Sequence, residues 1–249
     1  MIAIKGLRVV FGQRVVLGSI DLDIKDGLST VILGRSGVGK SVLLKAILGL
    51  VPISAGSIVI DGQDLLALSK RNQADLRSRI GMLLQNPGLF DSMNVYDNIA
   101  FPLRYHRTAS GADLDRRVRD MAALVDLTEA LDQDPFDLSG GMKRRAALAR
   151  CLVQDPAYLF YDEPTAGLDP ATSALVETLI HRVATERQLT SVVVTHDLDL
   201  VRYLGDRIAL LEAGSIVACQ DRAEALAEGS LISESFIKAR EKIHLGQKT

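Results

Sequence analysis

The stretch Thr30-Val-Ile-Leu-Gly-Arg-Ser-Gly-Val-Gly-Lys-Ser41 decides the fold. Thr30–Leu33 is a short apolar run with β-branched residues, the mark of a buried parallel strand. Glycines follow at once, and Lys40–Leu48 then reads as a helix ended by Gly49 and Pro52. Between strand and helix, Gly34, Arg35, Ser36, Gly37, Val38, Gly39, Lys40 and Ser41 match G-x-x-x-x-G-K-[ST] in the setting that pattern requires. Glycines let the backbone curl until its N–H groups face one centre and cradle phosphate. The helix adds its positive N-terminal end. In such a loop Lys40 reaches the β- and γ-phosphates of a nucleotide and Ser41 holds Mg²⁺. A glycine-rich turn of no function would carry the same letters without that context.

Working outward, the chain has 249 residues, enough for one large α/β domain or a core with a small subdomain. Lys and Arg number 29 against 31 Asp and Glu, a net charge of −2, which argues against nucleic acid as a main partner. Cys151 and Cys219 stand alone, so neither a disulfide framework nor a zinc site is expected and a reducing compartment is. The start, MIAIKGLRVVF, has no signal-peptide pattern, and no apolar run is long enough to span a bilayer.

Short strands are expected at Ile2–Val10, Ser19–Ile24 and Ser57–Ile60, with turns at Asp26-Gly27 and Asp61-Gly62, as in a small antiparallel sheet. From about Asn86 to Pro156 the pattern turns helical, with runs at Val95–Tyr105, Asp113–Val125 and Ser139–Val153. Buried-strand character returns at Tyr158–Tyr161 and Ser191–Thr195, on either side of a helix at about Ala171–Gln188. Arg207–Leu211 and Ser215–Ala218 read as a closing strand pair. In the tail from Arg222, the residues Leu231, Ile232, Phe236 and Ile237 can form one apolar helix face, packed on its own domain or on a partner subunit.

Tyr158-Leu-Phe-Tyr-Asp162-Glu163 is an apolar strand that ends in two acids. Such a strand delivers carboxylates to the C-terminal edge of a sheet, where α/β folds bind ligands. Asp162 suits Mg²⁺, directly or through water, and Glu163 suits a general base for attack on a γ-phosphate. Taken alone, the pair would be two solvated acids before Pro164. Leu138-Ser-Gly-Gly-Met142 opens the next helical run; Ser139 can cap it while Gly140 and Gly141 leave its end open to an anion, although an ordinary N-cap reads the same way.

Taken in order, GRSGVGKS (34–41), Gln85, LSGGM (138–142), YLFYDEP (158–164), Ala166-Gly167-Leu168-Asp169 and His196 resemble the ATP-binding-cassette (ABC) ATPases, from about Ile2 to Ala218. The resemblance implies an α/β P-loop NTPase core with an antiparallel β subdomain and a helical subdomain. Residues 1–220 would be the ATPase domain, with about 86–156 helical, and 221–249 a tail offered as a dimer contact. It implies ATP and Mg²⁺, and hydrolysis. It also implies a homodimer in which each ATP lies between one copy's phosphate loop and the other's Ser139, Gly140 and Gly141. Phe11 stands where the family stacks an aromatic ring on adenine; Tyr is usual there, and a strand-end core aromatic is the plainer reading. The family's Gln85 senses Mg²⁺ or the attacking water and lies near the permease, its His196 touches the γ-phosphate, and its Asp169 bridges the subunits. His106, His181 and His244 have no such context.

Two departures sharpen the likeness. Met142 stands where Gln is commonest, and QNPGLFDSMNVYDNIAFPLR (85–104) with SGGMKRRAALAR (139–150) resembles the ATPases of Mla/Mce-type phospholipid transporters of double-membraned bacteria. Asn86-Pro87-Gly88 departs from the small residues usual there. The expectation is a motor for phospholipid transport between inner and outer membranes, maintaining outer-membrane lipid asymmetry. It would sit on the cytoplasmic face of the inner membrane with an integral permease and an Mce-domain lipid-binding protein. An importer ATPase for amino acids or another small polar solute is the rival. A ribosome- or DNA-acting member lacks support, since the chain has neither two cassettes nor a long coiled-coil insertion.

Overall fold

The structure is a computed structural model that describes residues 1–238, the last three by backbone alone. The chain forms two compact units, residues 1–69 with 192 onward, and residues 70–191. The first begins with β1 (Ile2–Phe11), β2 (Arg14–Ile24), β3 (Ser29–Leu33), α1 (Lys40–Ile47), β4 (Ala55–Ile60) and β5 (Gln63–Asp64). The second holds α2 (Lys70–Ser78), β6 (Ile80–Leu83), α3 (Val95–His106), α4 (Gly111–Leu124), α5 (Gly140–Leu152), β7 (Tyr158–Asp162) and α6 (Pro170–Arg187). After β8 (Thr190–Thr195) come α7 (Leu198–Leu204), β9 (Arg207–Glu212), β10 (Ser215–Asp221) and α8 (Arg222–Leu226).

In the first unit the strands lie in the order β5-β4-β1-β2-β10-β9-β3-β8. β4, β1 and β2 are antiparallel, with Ile2 opposite both Ile24 and Ile60. Ile2, Ile4, Leu7 and Val9 of β1, and Leu17, Ile20, Leu22 and Ile24 of β2, are buried. That roughly alternating pattern is what a one-sided sheet demands. Each such side chain contributes roughly 1.5–3 kcal/mol by leaving water. β3 runs parallel to β9, Ile32 opposite Ala209, and all of its residues are buried. The strands are longer than expected. β2 starts at Arg14 because Gly12, at φ 60°, turns β1 straight into it. Gly12-Gln13 is not among the strongest hairpin dipeptides.

In the second unit β6 and β7 are parallel, with Leu83 opposite Tyr161. A Cβ at Gly81 would lie 2.6 Å from Leu159 Cδ1 and 3.1 Å from Cys151 Cβ, so only glycine lets β6 lie this close to β7 and α5. Val95, Ile99 and Leu103 of α3, Val118 and Ala122 of α4, and Ala146, Ala149 and Leu152 of α5 are buried. They recur at helical spacing, as the sequence periodicity predicts. α2 escaped that reading because Leu76 is its one buried residue. In the tail Ile232 is buried and Leu231 half exposed. The Phe236 and Ile237 side chains, and 239–249, lie outside the described residues. Among those described, no helix is long and apolar enough to cross a membrane.

Candidate active site

The phosphate loop leaves β3 where its backbone is pinned to β8: Gly34 N donates to Thr195 O at 3.2 Å. A Cβ at Gly34 would fall 2.6 Å from Leu211 O and 2.9 Å from Val38 Cγ2. Gly37 and Gly39 take φ of 80° and 109°, the left-handed region that side chains resist. Gly39 is the N-cap of α1 with no side-chain cap, and the first turn carries no acid. Its first N–H groups and positive helix end therefore face the loop with no acid of the helix's own first turn beside them. Lys40 is only 6% exposed. Its Nζ donates to Gly34 O at 2.8 Å and Arg35 O at 3.1 Å, which folds the ammonium back over the loop. Arg35, Ser36 and Gly37 are exposed, and Val38, Gly39 and Ser41 half-buried. A loop so shaped offers backbone donors and an ammonium to a polyphosphate.

His196 follows β8 directly and is exposed. Because Thr195 pairs with Gly34, His196 emerges at the edge of the first unit that carries the phosphate loop. Phe11 ends β1 opposite Arg14 and is 42% exposed, so it is not a core aromatic.

In the second unit the parallel pairing of Leu83 with Tyr161 brings Gln85 and Glu163 out at one sheet edge. Asp162 ends the wholly buried β7 and is 6% exposed. Glu163 is half-buried, with φ 48°. A non-glycine residue there costs about 1–2 kcal/mol and needs surroundings that enforce it.

Ser139 caps α5, its Oγ accepting from Met142 N at 3.3 Å, and no acid occupies the first turn. Ser139 and Gly140 are exposed. Asp169 caps α6, accepting from Thr172 N at 3.0 Å and Thr172 Oγ1 at 2.5 Å; these bonds hold its carboxyl below the usual carboxylate range. The two helix starts adjoin: a Cβ at Gly141 would collide with Thr172 Cγ2, and one at Gly140 would sit 3.3 Å from Leu168 Cδ2.

Sequence reasoning missed the arginines of α5. Arg144 donates to Glu163 O (3.1 Å) and Ala166 O (2.6 Å), and Arg145 to Val125 O (2.7 Å) and Asp126 O (2.9 Å). Arg150 donates to Gly88 O (2.8 Å) and Pro87 O (2.9 Å). Burial pushes the Arg144 and Arg150 guanidinium pKa values down. Asn98, fully buried, ties down the same loop as Arg150, accepting from Phe90 N (2.8 Å) and donating to Met93 O (2.9 Å). Beside it, Phe90 packs on Phe101 with ring centroids 4.6 Å apart, and both line a cavity of about 370 Å³ with Tyr105, Arg150 and Cys151. Burial pushes the Cys151 thiol up to about 11, so it is inert at neutral pH.

Among the described residues no group of three or more His, Cys, Asp or Glu can hold a metal. Ser41 in the first unit, and Asp162 and Gln85 in the second, each carry an oxygen donor of the kind that suits Mg²⁺.

Comparison with known proteins bears on this arrangement. The family model described as "ABC transporter" matches residues 17–166. The chain is 37% identical over 239 residues to the probable ribonucleotide transport ATP-binding protein mkl of Mycobacterium leprae, covering 96% of this chain and 69% of that one. It is 38% identical over 239 residues to the intermembrane phospholipid transport system ATP-binding protein MlaF of Haemophilus influenzae, covering 96% and 90%. It is 41% identical over 222 residues to the methionine import ATP-binding protein MetN of Leifsonia xyli subsp. xyli, covering 87% and 64%. A solved ATP-binding cassette, dimeric and in a post-hydrolysis state with ADP and Pi, superposes with a TM-score of 0.81 at 29% identity, covering 89% of this chain and 99% of that one.

Proposed function

The chain belongs to the ABC transporter family as an ATP-binding, ATP-hydrolysing subunit with the α/β P-loop fold, and from that premise we propose that it drives phospholipid transport between the inner and outer membranes of a double-membraned bacterium. One observation carries the proposal. The segments that liken this sequence to the Mla/Mce-type ATPases, Leu89-Phe-Asp-Ser92 and Phe101-Pro-Leu-Arg104, meet at the surface where the exposed Phe90 packs on Phe101. That surface lies beside the loop after Gln85, where a permease is expected. The similarity to MlaF over 90% of its length supports the same reading.

In this reading the Gly34–Ser41 amides and Lys40 hold the β- and γ-phosphates, and Phe11 stacks on adenine. Ser41, Asp162 and Gln85 would hold Mg²⁺, which would supply positive charge against the phosphate oxygens. Glu163 accepts a proton from the water that attacks the γ-phosphate, as ADP leaves and Pi forms. His196 donates to the γ-phosphate. Ser139, Gly140 and Gly141 meet the nucleotide of a second copy, and Asp169 lies between the copies. Residues 1–220 form the ATPase domain, with about 86–156 as its helical part; the tail from 221 packs on its own domain, where Ala225 and Ile232 are buried, or on the second copy. The homodimer works at the cytoplasmic face of the inner membrane with a permease and an Mce-domain lipid-binding protein.

The test is reconstitution of the chain with an integral permease and an Mce-domain lipid-binding protein that co-purify with it, in vesicles holding a labelled phospholipid. ATP-dependent transfer, lost with Glu163→Gln, is expected. ATPase stimulation by a solute-loaded binding protein, with no lipid transfer, would overturn the reading. It would favour the importer that the likeness to MetN keeps in view.

A further inference from the structure

We propose that Arg144 is a positioning residue for hydrolysis: it ties the helix that opens on Ser139–Gly141 to the backbone presenting Glu163, so that contact of the signature with a second copy's nucleotide sets the Glu163 carboxylate on the attacking water. This rests on the reading of Glu163 as the base.

The geometry is specific to this side chain. Arg144 is 5% exposed. Its two terminal nitrogens reach Glu163 O and Ala166 O, 3.1 and 2.6 Å away, so one planar group closes the loop after β7. A guanidinium presents two parallel donors in a fixed fork; an ammonium does not. The Glu163 carbonyl sits on the residue whose φ is 48°. Holding it fixes the direction of that residue's Cα–Cβ bond, and hence of the carboxylate. A second link runs beside the first, where Gly141 abuts Thr172 and Gly140 faces Leu168. The start of α5 and the segment 163–172 are therefore joined at three points. A push on Ser139–Gly141 is delivered to Glu163.

The same helix supplies the control. Arg145 makes an equivalent staple to Val125 O and Asp126 O, carbonyls at the end of α4 and away from Glu163. An arginine that merely braced the helix would behave as Arg145 does.

The experiment compares steady-state ATP hydrolysis by the full chain carrying Arg144→Met, Arg144→Lys, Arg145→Met or Glu163→Gln. Arg144→Met should lower kcat about 10- to 100-fold, the scale of a small misplacement of a reacting group. KM for ATP should stay within about twofold, and the Hill coefficient should fall toward one. Arg144→Lys should restore little, since the fork is lost, and Arg145→Met should keep kcat while lowering the melting temperature. If Glu163→Gln abolishes turnover but Arg144→Met keeps it, or if Arg145→Met loses as much as Arg144→Met, the Arg144 proposal falls alone. If Glu163→Gln turns over normally, the assignment of the base falls and this proposal with it. Should Arg144→Met not fold, Arg144→Gln, which retains an amide donor, is read by the same criteria.

Discussion

The loop Gly34–Ser41 and the loop Glu163–Asp169 each follow a buried strand, yet they are shaped by opposite means. The first takes left-handed φ at Gly37 and Gly39, where no side chain resists it, and closes on itself through Lys40. The second puts a glutamate at φ 48° and holds it there from outside, with Arg144 of α5. A loop made of glycines is written in its own letters. A loop held by a distant arginine is written elsewhere in the chain. The first owes its backbone shape to its own residues; the second owes it to a neighbour.

Four measurements would break or sharpen that contrast. The largest effect should come from Lys40→Met, which removes both closing bonds and the proposed phosphate contact; turnover should fall about 100- to 1,000-fold, as for loss of a preorganised donor. Unchanged turnover would mean the loop needs no closure. Next, Gly39→Ala should unfold more readily than Gly37→Ala. A Cβ at Gly39 would meet Leu17 Cδ2 at 2.8 Å, whereas one at Gly37 meets nothing and suffers only the left-handed cost of about 1 kcal/mol. Equal melting temperatures would remove packing from the account. Third, Glu163→Gly should be inactive yet melt within about 2 °C of the parent, because relief of strain offsets the added freedom of glycine when unfolded. A large fall would show that φ 48° is not strained.

The smallest effect is electrostatic. The Thr172 bonds lower the Asp169 pKa in the folded state. Its contribution is then fully present above the unfolded value of about 3.9 and is lost as pH falls through the folded value. Asp169→Asn should therefore destabilise at pH 7 and match the parent near pH 2. A difference that persists in acid would trace to the cap geometry instead.

The contrast also explains what could be read from the letters. Thr30–Leu33, three glycines and a helix start give the phosphate loop without tertiary knowledge, because strand, turn and cap are local. Ser139 announces itself as a cap in the same way, and the chain indeed begins α5 there, whereas the cap at Asp169 lies two residues before the expected helix start and is missed. The arginines could not be read. A basic pair followed by Arg150 on a helix looks like a solvated face, and only the fold shows that Arg144 is buried against carbonyls far along the chain. α2 stayed hidden for the converse reason, since a helix with one buried residue leaves almost no periodic trace. Nor does any local pattern announce that the chain parts into two units at 69 and 191.

Three arginines on one helix grip three separate segments, at 87–88, at 125–126 and at 163–166. Loops ordinarily open alone and exchange their amide hydrogens quickly. Here each is tethered to α5, whose own amides are released only when its buried face separates from its neighbours. Hydrogen exchange should therefore find the three segments slow and matched in rate to α5, as one cooperative unit, with denaturant exposing them together.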